Sequence, residues 1–426
     1  MTAALSTGLE RLSSVARGAA APWLAIVGIG EDGRAGLSAA AVRALDAAAL
    51  VVGGARHLAL AAPLRPAAST LVWASPMTES YAEIEGWRGG ARGNVCVLAT
   101  GDPFHYGVGA DLAKLFPPGE WVCFPQASAF SLAAARLGWS LPDCALVSVH
   151  GRALERVVPH LQPRAKLIVL SSNGVTPAKL AALLAGRGFG ASRLTVLEAM
   201  GGPRERLSRH LAADFPDETF ASLNTVAIEV AAASDARIVP LAAGLDDGWF
   251  ENDGQLTKAE IRAITLASLA PRAAEILWDV GAGAGSVGIE WCLRHPVNRA
   301  VAVEERADRA ERVSLNARAL GVNERVEVVV GRAPQALSDI ALPDAIFIGG
   351  GASEPGLVEA AWGALRSGGR LVVNAVTLET ETLLAALRLR HGGELRRIAL
   401  SRLEPVGTLH GWRPAMPVTQ WAAVKP

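Results

Sequence analysis

The sequence predicts an α/β protein of two unlike domains, and three observations carry that expectation. Short apolar runs of strand length alternate with segments of helical apolar spacing from residue 23 to the end. At 426 residues the chain exceeds what one ordinary hydrophobic core serves. Between residues 231 and 256 the composition shifts to Ser, Asp, Gly, Asn and Pro, which reads as a junction. On this reading residues 1–22 are a mobile extension, 23–233 the first domain, 234–254 a linker with an exposed Trp249-Phe250, and 255–426 the second domain.

In the first half the candidate strands fall at 23–27, 50–52, 95–99, 121–124, 146–149, 167–170, 194–197 and 225–230. The second half offers seven, at 275–280, 299–303, 326–330, 345–348, 370–373, 395–400 and 418–424. The glycine-rich loop after the first of these seven has no counterpart in the first half, so the halves are expected to be different folds rather than a duplication.

Composition narrows the function classes. Lys+Arg and Asp+Glu balance at 41 each, so no global field favours nucleic acid or an anionic membrane, and substrate charge must be met locally. Only five of the basic residues are lysines, and the arginine forks of the rest suit carboxylate-rich ligands. Cys96, Cys123, Cys144 and Cys292 lack metal-ligand spacing, so neither zinc nor a disulfide framework is expected and a cytoplasmic location fits. No apolar run has the length of a membrane span. Residues 1–21, rich in Ala, Ser and Arg, lack a secretory core.

The strongest chemical signal is Asp279-Val-Gly281-Ala282-Gly283-Ala284-Gly285, which follows a strand-like run and opens a helical one. Three glycines let the backbone turn sharply and approach a ligand without Cβ atoms. Glu304 ends the next strand about 20 residues on, where an acid accepts hydrogen bonds from ribose hydroxyls. A dinucleotide fingerprint needs glycine at 286, and Ser286 stands there. With its acid leading the glycines, the loop resembles the first motif of S-adenosylmethionine (SAM) methyltransferases, whose ligand has no pyrophosphate to cradle, and this resemblance implies SAM; a NAD-dependent oxidoreductase is the alternative. Gly28-Ile-Gly30-Glu-Asp-Gly33 also matches the dinucleotide pattern, yet the following strand ends Val52-Gly53-Gly54 with no carboxylate for a ribose. The loop from Ala99 to Gly109 is more telling, with Gly101 and Pro103 shaping a turn at a strand's C-terminal end, where ligands of open α/β sheets bind, and Asp102 projecting into the crevice. Thr257 and Glu260 have capping-box spacing ahead of a helix.

The first half resembles the class III tetrapyrrole methylases through its V-G-I-G opening, the G-D-P loop at 101–103, the segment at 125–138, S-x-H-G-R at 148–152, S-N-G at 172–174 and L-N-T-V-A-I-E at 223–229. The resemblance implies SAM bound between two α/β lobes, with Gly101 and Asp102 beside its methionine part and the turn ending at Ser128 nearby. Glu31-Asp32-Gly33 stands where that family commonly has Pro-Gly-Asp. The second half resembles the decarboxylating precorrin methyltransferases at 256–262, 331–337, 344–351 and 373–380. What that implies is SAM contacts from Thr257, residues 281–285, Glu304 and Ala333, with Lys258 and Arg262 facing the substrate opening. Asn374, at a strand's C-terminal end, is a further candidate for orienting substrate. Residues 349–351 are all glycine where a nucleic-acid amino-methylase shows N-P-P-Y.

Together the two resemblances imply an N-terminal two-lobed class III tetrapyrrole methylase fold followed by a C-terminal Rossmann-like class I SAM methyltransferase fold. The implied function, in cobalamin biosynthesis, is methylation of a precorrin macrocycle at C-5 by the first domain and at C-15 by the second, which also decarboxylates the C-12 acetate. Two SAM sites, one per domain, and a homo-oligomer are expected; a non-catalytic tetrapyrrole-binding protein is the competing class. Orientation alone can supply about 7–11 kcal/mol of such a barrier, so the missing Ser-His-Asp or metal constellation is no objection.

Overall fold

A computed structural model describes residues 22–426; the expected extension at 1–22 lies outside them except for its last residue. The chain divides into two compact units, one built from residues up to Gly151 with Pro163–Ala236, the other from Arg152–Gln162 with Arg237–Pro426.

The first unit holds two five-stranded sheets. In one, β1 (Leu24–Ile29), β2 (Ala48–Gly53), β3 (Ser69–Val72), β4 (Asn94–Thr100) and β5 (Trp121–Phe124) lie in the order β3-β2-β4-β1-β5, all parallel. Every residue of β1 is buried, as a parallel strand covered on both faces requires. Two apolar clusters account for the covers, one around Trp23, Ile26, Val97 and Phe116, the other around Val27, Leu45, Val51 and Leu98. The second sheet orders β6 (Cys144–Ser148), β7 (Lys166–Leu170), β8 (Arg193–Glu198), β9 (Arg206–Leu211) and β10 (Asn224–Glu229) as β6-β7-β10-β8-β9, with β10 antiparallel to both neighbours. β3 and β9 had no apolar run to announce them. Both are edge strands with largely exposed side chains, so they need no buried face.

The second unit is one seven-stranded sheet: β11 (Ile276–Val280), β12 (Arg299–Glu304), β13 (Val326–Val330), β14 (Ala345–Ile348), β15 (Arg370–Ala375), β16 (Glu394–Ile398) and β19 (Val418–Val424). Their order is β13-β12-β11-β14-β15-β19-β16, parallel through β15 and antiparallel at β19 and β16. Strand order reverses between β11 and β14, which places the ligand crevice outside their C-terminal ends. All seven coincide with apolar runs in the sequence to within a few residues. The hairpin β17 (Ser401–Val406) and β18 (Leu409–Pro414) was not foreseen; a Gly407-Thr408 turn with Gly407 at φ +63° closes it, and its side chains are mostly exposed.

The expected linker is packed rather than free from Arg237 on. Gly244 N and Leu245 N donate to the Glu290 carboxylate at 2.7 and 2.9 Å, Arg237 lies over the half-buried Trp249 ring at 4.7 Å, and Phe250 is buried against Arg262. The "exposed" reading of Trp249-Phe250 is thereby corrected: each aromatic packs on an arginine outside the local turn, Trp249 on Arg237 and Phe250 on Arg262.

Candidate active site

The glycine loop joins β11 to the helix Ser286–Arg294 and has all three glycines at positive φ, +70°, +58° and +74° at 281, 283 and 285. L-residues rarely adopt that conformation, so local backbone geometry alone explains the alternation. The three differ in their surroundings. A Cβ on Gly285 would stand 2.6 Å from Val313 Cγ1, so this glycine packs the helix Ala307–Ala319 closely; one on Gly283 would meet only the Gln255 carbonyl, at 3.2 Å, beside open space. Gly281 N and Ala282 N both donate to Val303 O, tying the loop to the end of β12.

Two acids and one amide hold the loop. Glu304 accepts from Gly283 N at 2.8 Å through one oxygen and from Arg306 N at 3.1 Å through the other, so its carboxylate is positioned at the loop with lone pairs to spare. Asp279 is fully buried and accepts from Gly288 N at 2.8 Å; burial, partly offset by that hydrogen bond and reinforced by the Glu304 charge, pushes its carboxyl up to about 7. Buried Asn316 donates from Nδ2 to Ala284 O and Glu251 O, both at 2.9 Å, and accepts from Glu251 N at 2.8 Å. It staples the segment preceding residue 255 to the glycine loop.

A cavity of about 930 Å³ opens at the switch point and brings together most of the residues singled out in the second half. Thr257, Lys258, Gly281, Ala282, Gly283, Glu304, Ala333 and Asn374 all line it, as do the glycines at 349–351 after β14. Ala284 and Gly285 lie behind the loop instead, Ala284 only 2% exposed. Its volume falls within the range of small-molecule sites. Sequence reasoning missed Arg309, Arg332 and Arg402, which also line it and pair with Asp253, Glu354 and Glu260 at 2.8, 2.7 and 2.6 Å. Arg402 comes from the unforeseen hairpin, and no local signal marks it.

Arg262 requires a correction. It was expected at the substrate opening, yet it is wholly buried and does not line the cavity. Its Nε donates to Glu290, itself 0% exposed, while Nη1 and Nη2 donate to the carbonyls of Thr257 and Leu245. The guanidinium therefore clamps the crossing segment, and with it Thr257, onto the helices Ala259–Leu269 and Ser286–Arg294. The capping box is also absent. The helix begins one residue later, with Lys258 at the cap position and no side-chain cap bond; Lys258 pairs with Asp247 at 3.3 Å, and Glu260 is taken by Arg402.

In the first unit, Gly101 sits at φ +57° where a Cβ would lie 2.8 Å from Ala127 O, and a Cβ on Gly28 would fall 1.8 Å from Gly101 O. The first glycine of the dinucleotide-like pattern thus serves the close approach of β1 to the 101–103 loop. Gly101 lines a small cleft of about 50 Å³ together with Glu31, Arg56, Thr100, Asn224 and neighbours. Asp102 accepts from Phe104 N at 2.9 Å and shapes its own turn; Ser128 caps the helix Ala129–Leu137 through Ser131 N. Neither side chain lines that cleft. Missed by sequence reasoning is the cluster beside it: Arg56 pairs with Glu31, and both Arg56 and His57 reach Thr100 Oγ1, at 2.7 and 2.8 Å. Burial first and the Arg56 charge second depress the His57 pKa to about 4.

Comparison with known proteins agrees with this architecture. Residues 24–216 match the tetrapyrrole (corrin/porphyrin) methylases and residues 248–425 the precorrin methyltransferase domain. A precorrin-6Y C(5,15)-methyltransferase [decarboxylating] of Sinorhizobium sp is 52% identical over 95% of this chain and 97% of its own. The chain belongs to the precorrin-6Y C(5,15)-methyltransferase (decarboxylating) family. A protein of the same name from Mycobacterium tuberculosis is 40% identical over 94% of this chain and 99% of its own. A cobalt-precorrin-6B C(15)-methyltransferase (decarboxylating) of Salmonella typhimurium is 34% identical over 38% of this chain and 85% of its own. As a family member the chain is an enzyme of cobalamin biosynthesis that performs SAM-dependent methylation with decarboxylation. Among the described residues no helix is long and apolar enough to cross a membrane, and no side-chain cluster suited to a metal ion occurs.

Proposed function

We propose that the second unit methylates C-15 of the precorrin macrocycle and decarboxylates its C-12 acetate, that the first unit methylates C-5, and that each unit holds its own SAM. The observation that carries the reading for the second unit is the cavity at the β11/β14 switch point, floored by glycines at positive φ and edged by Glu304. These residues fit SAM: the Glu304 carboxylate keeps lone pairs for ribose hydroxyls, and Cβ atoms on Gly350 or Gly351 would meet nothing within 4 Å. The cofactor supplies an electrophilic methyl group. The chain's residues supply position: the glycine backbone and Thr257 hold the cofactor side, while Lys258, Arg332 and Arg402 face a substrate rich in carboxylates. The relative from Salmonella typhimurium, which spans 38% of this chain, supports one domain carrying both C-15 methylation and decarboxylation. Gly101 at the first unit's cleft, in a chain segment matching the tetrapyrrole methylases, supports the C-5 assignment. The fold order, a class III methylase domain followed by a Rossmann-like methyltransferase domain, belongs to the same proposal, as does a homo-oligomeric assembly.

Product mass analysis on full-length variants tests the division. Gly101→Val should yield a decarboxylated product with one methyl gained; Gly283→Val should yield a singly methylated product that keeps its acetate carboxyl. Loss of both activities together in either variant, or one SAM per chain by calorimetry, would refute it.

A further inference from the structure

Asn374 stands at the C-terminal end of β15 on the cavity wall, and the groups behind it determine which way its amide faces. Arg396 Nη1 donates to Ser268 Oγ at 3.3 Å, and the Ser268 hydroxyl donates in turn to Gln420 Oε1 at 2.8 Å. With its oxygen engaged there, Gln420 turns its amide nitrogen to the other side. Its Nε2 hydrogens go to Asn374 Oδ1 at 2.9 Å and Thr265 Oγ1 at 3.3 Å, which uses every polar group of this fully buried side chain. Asn374 must then present oxygen to Gln420 and nitrogen to Thr265 Oγ1, at 3.0 Å. Asn374 and Gln420 are also direct partners in the β15/β19 register, so the backbone holds them together. One Nδ2 hydrogen is left without a partner among the described residues.

We propose that this polarised chain, running from Arg396 through Ser268 and Gln420, locks Asn374 as a hydrogen-bond donor into the cavity, where it holds a carboxylate oxygen of the bound reactants. Thr265, Ser268 and Gln420 are positioning residues; Asn374 is the one that touches ligand. A freely rotating amide would offer oxygen as readily as nitrogen and would repel half of its approaches to a carboxylate. The lock removes that ambiguity before binding, which is preorganisation of a charge-assisted hydrogen bond. The carboxylate comes either from the macrocycle or from the amino-acid end of SAM. The inference rests on reading this cavity as the methyl-transfer and decarboxylation site.

The test measures CO2 release by the full-length enzyme, with KM determined separately for precorrin-6Y and for SAM. Asn374→Leu, which keeps shape but not the donor, should raise one KM by about 10- to 100-fold. Asn374→Asp should raise the same KM further at pH 8 and recover as pH falls, because the protonated acid regains a donor. Gln420→Glu should mimic Asn374→Leu by turning the amide, while Thr265→Ser, which keeps the hydroxyl, should leave both constants within about twofold. The affected KM names the carboxylate's owner. Asn374→Leu and Asn374→Asp with unchanged constants, or equal losses without pH recovery, would overturn the lock. Glu304→Ala is the control for the site itself: an unchanged KM for SAM there would overturn the cavity reading and the lock with it.

Discussion

Replacing Arg262 by methionine should destabilise the second unit rather than remove a catalytic group. The guanidinium and the Glu290 carboxylate are both 0% exposed, so the single substitution leaves a buried charge whose remaining hydrogen-bond donors are the Gly244 and Leu245 amides, with Arg294 as the nearby cation. Breaking a buried pair from one side costs about 3–5 kcal/mol. The carbonyls of Thr257 and Leu245 lose donors in addition, at about 1–3 kcal/mol each where water does not reach them. Neutralising the stranded acid in Arg262→Met/Glu290→Gln should recover about 2 kcal/mol of the loss, because the uncompensated charge is gone while the orphaned carbonyls are not. Native-state amide exchange in the helix Ser286–Arg294 reads these energies locally, which matters in a chain of two units that need not unfold together. CO2 release should follow the protection: lost with Arg262→Met and partly regained in the double variant. Wild-type protection in Arg262→Met with no CO2 release would refute the structural role and return Arg262 to the chemistry.

The glycines of the loop should separate stability from binding. Gly285→Ala combines a left-handed backbone, about 1–2 kcal/mol, with overpacking against Val313, about 1–3 kcal/mol, and should lower the urea midpoint of the second unit; Gly283→Ala carries the backbone cost with one tight contact, at the Gln255 carbonyl, and should chiefly raise the KM for SAM. Asn316→Ala removes three hydrogen bonds joining the 251 segment to the loop, one of them fully buried, and should weaken SAM binding at least tenfold, as calorimetry would show. For His57 the folded pKa of about 4 lies below the ordinary 6.5, so the unfolded chain takes up the proton first. The stability is therefore complete above about pH 6.5 and falls, by up to about 3 kcal/mol, as pH drops toward 4. Urea unfolding of the first unit across that window should show the slope, and His57→Gln should flatten it; an unchanged slope would mean another group titrates.

Local physics made much of this protein legible without coordinates. Alternation of glycine at 281, 283 and 285 reports a backbone that must pass through positive φ three times, a property of the residues themselves. The inner strands of the second unit's sheet announce themselves because β11, β12, β14, β15 and β19 are largely buried apolar runs, and Glu304 follows from its distance beyond the loop. Edge elements were silent: β3, β9 and the β17/β18 hairpin bury little, so hydrophobic pattern carries no trace of them, and Arg402 stayed hidden with its hairpin. Whether a charge serves the core or the cavity was equally unreadable. Arg262 and Lys258 sit four residues apart in one segment; Glu290 and the Leu245 carbonyl claim the first while the second lines the cavity. The orientation of the Asn374 amide depends on residues 265, 268, 396 and 420, brought together only by sheet register and helix packing. The chain's order thus determined which backbone paths were open and which segments were buried, since both follow from residue type and spacing. Tertiary structure alone decided which polar groups meet, because a hydrogen bond depends on position in space and is indifferent to separation along the chain.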